Sequence, residues 1–167
     1  YTDEPTIAVI EINNENSLFS QYFRGNIDKL PDPYAAEFRK QWNIWLKKKY
    51  KTTADLKKAW ISGNNSLADN KNSEVEAEMK ILLGNNNQIE DHSIPTVKAG
   101  SSVYSSARKD FYQFLTDTEY SYWTGMYKFL KDDLQVKSLV SGTQLGYYST
   151  PFNQSALDYV DIHAYWC

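Results

Sequence analysis

Residues 6–16, "TIAVIEINNEN", decide how this chain is read. From Thr6 to Ile12 the run is apolar and β-branched on both parities except at Glu11, the pattern of strands in parallel sheets covered by helices. It then climbs straight into a polar knot of Asn13, Asn14, Glu15 and Asn16. Loops at the carboxyl ends of parallel strands shape functional sites. Asn14 and Glu15 fall at such an end. Side chains alternate along a strand, so Val9, Glu11, Asn13 and Glu15 share a face. Glu11 is therefore expected to point inward, one layer below Glu15, and to need a cation from a strand outside this chain.

Outward from this strand, "SLFSQYFRGNIDKLPDP" (17–33) reads as a loop. "PYAAEFRKQWNIWLKKKY" (33–50) places Ala35, Phe38, Trp42, Trp45, Leu46 and Tyr50 at helical spacing, with Asp32 and Pro33 as start signals. "TTADLKKAW" (52–60) reads as a second, short helix capped by Thr52 or Thr53. The Asn-rich stretch 62–95 reads as an irregular excursion with one helical turn near Val75 to Leu82; a loop of that length is functional or disordered. The strongest helix is "SSARKDFYQFLTDTEYSYWTGMYKFLKDDL" (105–134). Its apolar stripe runs through Phe111, Phe114, Leu115, Tyr122, Trp123, Met126, Tyr127, Leu130 and Leu134. "KSLVSG" (137–142) is a second strand, "NQSALDY" (153–159) a helical turn and "YVDIHAY" (159–165) a third strand. Asp161, His163 and Tyr165 share a face of that third strand, and His163 and Tyr165 lie at its carboxyl end.

Strands alternating with helices indicate parallel β/α packing. Three strands cannot close a barrel, so the chain reads as an internal part of something larger. Its opening on Tyr1 and its stop at Cys167 fit that expectation.

Composition narrows the partners. The 167 residues fit one domain or part of one, and the net charge of −3 with scattered Lys and Arg offers no basic stripe for nucleic acid or an anionic membrane. No apolar run approaches the roughly 18 to 20 residues of a membrane span. Cys167 is the single cysteine, which excludes an internal disulfide and a Cys-based metal site, and two histidines are too few for a histidine cluster. Neither a metal nor a cofactor is expected. Aromatic residues make up 15% of the chain, with thirteen tyrosines and five tryptophans. Such rings fill cores, and they also stack on sugars and other flat ligands.

"EINNEN" (11–16) followed by "DIHAYW" (161–166) resembles the clan A retaining glycoside hydrolases, nearest to family 5, the cellulase and mannanase group. The resemblance implies a partial (β/α)8 TIM barrel, strands four to six with their helices, and it spans the whole chain. Residues 17–102 would form a long, partly helical excursion after the fourth strand. In that clan the fourth strand ends in Asn-Glu, matched here by Asn14 and Glu15. Glu15 would be the general acid/base, and Asn14 would bind the 2-hydroxyl of the sugar being cleaved. The sixth strand carries His-x-Tyr, matched by His163 and Tyr165. His163 would line the same sugar subsite, and Tyr165 would contact the nucleophilic carboxylate, a Glu of a seventh strand set beyond Cys167. Trp166 at the rim could form a sugar platform. The substrate class implied is a β-linked poly- or oligosaccharide, the location secreted or cell-surface, and the segment by itself inactive. Asn16 departs from the pattern, since many relatives have Pro after the Asn-Glu pair.

The chemistry suits these residue types. Retaining hydrolysis uses two carboxyl groups about 5 to 5.5 Å apart, one a nucleophile and one an acid that later acts as base. An Asn beside the acid holds a sugar hydroxyl without adding charge. Taken singly, Asn-Glu reads as a surface loop, His163 as an interior hydrogen-bonded histidine and Tyr165 as core. Their joint order favours the hydrolase. The rivals are a non-catalytic carbohydrate-binding or scaffold protein on a degenerate barrel, and an unrelated β/α enzyme. Asn64-Asn65-Ser66 and Asn153-Gln154-Ser155 also match glycosylation acceptors.

Overall fold

A computed structural model describes residues 2–62, 89, 92–100, 105–142 and 150–163. The chain divides into two compact units, one of residues 1–23 and 115–167, the other of residues 24–114.

In the first unit, β1 (Val9–Glu11) and β2 (Leu139–Ser141) pair in parallel, Val9 opposite Leu139, Ile10 opposite Val140 and Glu11 opposite Ser141. The ladder runs past β1: the Ile12 amide donates to Ser141 O at 3.0 Å and the Asn13 amide to Gly142 O at 2.9 Å. A β-carbon on Gly142 would sit 3.1 Å from Leu157 Cδ1 and 3.3 Å from Gln154 Cγ, so a larger residue after β2 requires those side chains to shift by a few tenths of an ångström. Val140 is fully buried, whereas Val9 and Leu139 are each 52% exposed. Glu11 is likewise exposed, not interior. The β-branched pattern of β1 holds, but no described element covers this face, so the layer beneath Glu15 is absent among the described residues.

The expected third strand is not formed over its described part, residues 159–163. Side chains replace its ladder. The Val140 amide donates to Asp158 Oδ2 (2.8 Å) and the Asp158 amide donates back to Val140 O (3.1 Å). Gln154 then brackets the Asp161 peptide group, donating Nε2 to Asp161 O (3.2 Å) and accepting the Asp161 amide on Oε1 (3.1 Å). Segment 158–161 is therefore tied down without regular strand geometry, and it positions His163.

Residues 17–33, read as a loop, contain α1 (Leu18–Phe23) and a 3-10 turn (Ile27–Lys29). Ser17 starts α1, its Oγ accepting the Ser20 amide at 3.0 Å, and Phe19 and Tyr22 are buried. Helix α4 (Ser105–Lys128) runs from one unit into the other and ends in a π-helical turn, Phe129–Asp133. Of its expected stripe, Phe111, Phe114, Leu115 and Trp123 are buried, while Tyr122 (46%) and Leu134 (42%) are exposed. Helix α5 (Thr150–Gln154) overlaps the helical turn expected over 153–159 only at Asn153 and Gln154; residues 155–158 are turn and bend.

The second unit is built on α2 (Tyr34–Tyr50) and α3 (Thr53–Ser62). Thr52 caps α3, its Oγ1 accepting the Asp55 amide at 3.1 Å and donating to Asp55 Oδ2 at 2.6 Å. Trp42 packs edge-on to Phe111 with ring centroids 5.2 Å apart, and Phe38 and Phe114 extend the cluster. Two polar anchors lock this core. Asn43, fully buried, donates to Arg39 O and Ile94 O and accepts the Ile94 amide. The Asp110 carboxylate accepts from Lys49 Nζ (2.7 Å), Tyr50 OH (2.6 Å) and Trp60 Nε1 (2.7 Å). The helical turn expected near Val75 to Leu82 lies outside the described residues.

Candidate functional site

The polar knot forms where β1 stops. After Asn13 has taken its last ladder bond the backbone bends, and Glu15 adopts φ 42°. A non-glycine residue in the left-handed region costs on the order of 1 kcal/mol, and such residues cluster at functional sites. Glu15 meets His163, its Oε1 2.5 Å from His163 Nδ1, across 148 residues of sequence. The side chains are 29% and 39% exposed, so the pair sits at a rim with solvent access. Asn14 is exposed beside it. Tyr165 and Trp166 lie outside the described residues.

Glu11 belongs to this neighbourhood even though it is not buried beneath Glu15. Its carboxyl is held above the ordinary range, first by partial desolvation and then by the charges of Asp161 and Glu15, with His163 opposing. Glu15, Asp161 and His163 all act on Glu11 at this end of the sheet. The strand parity expected from the sequence does not produce this grouping, since Glu15 lies past the end of β1 and residues 159–163 form no strand.

A second feature of this unit has no counterpart in the sequence reading. A cavity of about 290 Å³ is lined by Asn13, Asn16, Ser17, Leu18, Gln21, Thr118, Glu119, Tyr122 and Trp123. Glu119 is only 3% exposed. Its Oε1 accepts the Leu18 amide and its Oε2 accepts Asn153 Nδ2, each at 3.2 Å. Desolvation pushes the carboxyl up to about 7 against these two bonds, which pull it down. The signal was available: Glu119 stands four residues after Leu115 and four before Trp123, both buried, so it lies on the apolar stripe of α4. Asn153, read as a glycosylation acceptor, is fully buried against Glu119 and is not accessible to modification; Asn64 lies outside the described residues.

Among the described residues, no group of three His, Cys, Asp or Glu side chains is placed to hold a metal ion. No helix among them is long and apolar enough to cross a membrane. Compared with known proteins, the chain matches no family model, no curated protein and no solved structure.

Proposed function

We propose that the protein is a retaining glycoside hydrolase acting on a β-linked poly- or oligosaccharide, its fold a (β/α)8 barrel of which this chain supplies strands four to six. The observation that carries the reading is the pairing of Glu15 with His163 at the carboxyl end of β1. Two residues so distant in sequence come together at the strand end where a β/α enzyme concentrates its chemistry.

In this reading Glu15 protonates the departing glycosidic oxygen and then takes a proton from the attacking water. His163 positions the Glu15 carboxyl by holding Oε1. Asn14, exposed at the same end, takes the 2-hydroxyl. Tyr165 and Trp166 complete the sugar subsite, and the nucleophilic Glu comes from a seventh strand beyond Cys167. The protein would be secreted or cell-surface.

The experiment is to incubate the protein, with its flanking sequence, with β-glucan, β-mannan and β-galactan and to follow reducing ends, in parallel with Glu15→Gln. Release of sugar by the wild type and its loss in the variant support the reading. Saturable binding of a glycan with no release favours a carbohydrate-binding scaffold. Neither binding nor release on any β-glycan rejects a sugar substrate.

A further inference from the structure

We propose that the cavity bounded by α1, α4 and the Asn13–Leu18 segment is a binding site for a small organic ammonium ion, with the Glu119 carboxylate as its counter-charge and the Tyr122 and Trp123 rings as its aromatic wall. This site is separate from Glu15 and does not rest on the hydrolase reading.

A buried carboxylate is retained in proteins when something compensates it. Asp110 in the other unit shows the usual solution, with Lys49 at 2.7 Å. Glu119 has no ion pair among the described residues. The elements around it supply none: α1 and α5 carry no charged side chain. Glu15 is the one charged residue of the 13–17 segment, and it is engaged by His163. On α4 itself, Asp117 two residues before Glu119 is a further acidic side chain and Tyr122 one turn after it a phenol, so neither supplies a cation. Two neutral donors, the Leu18 amide and Asn153, occupy one position on each oxygen. A carboxylate has about four acceptor positions, so each oxygen retains capacity.

What adjoins this group, which has no ion pair among the described residues, is space. A volume of about 290 Å³ is at the lower end of small-molecule pockets, too small for a polymer segment with its neighbours. Tyr122 and Trp123 meet edge to face in its wall, ring centroids 4.9 Å apart. Aromatic faces beside a carboxylate are the arrangement that attracts an ammonium group out of water. In the lining, Gln21 Nε2 donates to Asn16 Oδ1 at 2.7 Å, so these two amides form a fixed polar edge, with Asn13 also in the wall. Trp123 also holds a buried indole N–H with no hydrogen-bond partner among the described residues, and its resonance reports on the packing of this wall.

Binding of a cation is then linked to ionisation. With the free carboxyl near 7, an ammonium ligand that requires the carboxylate should bind about tenfold more tightly at pH 8 than at pH 6, and should release a proton at the lower pH. A neutral ligand shows neither effect.

The test is calorimetric titration of the wild-type chain with benzylamine and with choline at pH 6 and 8. Benzyl alcohol and methyl β-glucoside serve as neutral comparisons, and the Trp123 indole N–H resonance is followed by NMR. The expected result is saturable binding of at least one ammonium probe, the tenfold rise with pH and a shift of the Trp123 signal. Glu119→Gln, checked for folding by circular dichroism, should abolish the pH dependence and weaken binding at least tenfold. Tyr122→Leu, at a largely exposed position, should weaken binding with the pH dependence intact. Failure of both ammonium probes to bind, tighter binding of a neutral probe, or equal binding to Glu119→Gln would each overturn the proposal. None of those results bears on glycan cleavage by Glu15.

Discussion

Glu119 should make the first unit less stable as pH rises through neutrality, a direction opposite to that of most carboxylates. Its pKa is raised on folding, from the ordinary 4.5 to about 7. Between those values the folded state keeps the proton and the unfolded chain has lost it. Stability therefore falls as pH rises across this interval and levels off above it. The gap between 4.5 and about 7, at about 1.4 kcal/mol per pH unit, corresponds to about 3 kcal/mol. Asp158 acts in a separate window with the opposite sign. Burial alone would raise it, but Lys131, Tyr127 and the Val140 amide together hold it below the ordinary range, so its contribution is lost only in acid. The clean measurement is a difference. Urea unfolding of wild type and Glu119→Gln at pH 5, 6, 7 and 8 should show the variant gaining on the wild type by about 2 to 3 kcal/mol across the range. Gln keeps an acceptor for the Leu18 amide, so its fixed cost cancels in the pH dependence. A difference that stays constant from pH 5 to 8 would refute the assignment of a neutral buried carboxyl.

Other perturbations probe the anchors of the fold and the candidate site. Asp110→Ala strands Lys49, Tyr50 and the buried Trp60 indole, and should cost about 3 kcal/mol in urea unfolding; a cost under about 1 kcal/mol would mean the three bonds are not formed together. Asn43→Ala leaves both the amide and the carbonyl of buried Ile94 without their partner and should destabilise by about 2 to 3 kcal/mol, with loss of amide-exchange protection at Ile94. A double-mutant cycle of Glu15→Gln and His163→Ala should give a coupling of about 0.5 to 1 kcal/mol, the scale of a partly exposed pair; strict additivity would separate the two residues.

Much of the helical content was legible because it follows period 3.6 with clear punctuation. Thr52 and Asp55 announce α3, and the apolar spacing from Phe111 to Trp123 announces α4. Helix α1 was hidden because it is six residues long inside a Gly- and Pro-bearing stretch, and its one clear signal is Ser17 as cap. The third strand misled because Tyr159 to Tyr165 has the right alternation, while a sheet ladder also depends on a neighbour; here Asp158 and Gln154 side chains satisfy the backbone instead. Glu11 illustrates the same limit. Parity predicted a buried Glu11 beneath Glu15, but burial depends on elements that only tertiary structure supplies, and Glu11 is exposed. The sequence expected Glu15 and His163 to meet at the ends of two parallel strands; they do meet, but His163 is held by the Asp158–Asp161 segment and not by a strand. The Glu119 cavity was not legible, since it depends on α1 packing beside α4.

The central claim is that Glu15 serves as the proton donor to a glycosidic oxygen. It is tested most directly by turnover of a series of aryl β-glycosides whose leaving groups range from good to poor, comparing wild type with Glu15→Gln in the protein with its flanking sequence. General acid catalysis is worth about 10² to 10⁴ in rate. The variant should lose that factor on the poorest leaving groups and almost nothing in bond cleavage on the best, which depart without a proton. A loss that is the same across the series, or no loss at all, would contradict the role assigned to Glu15.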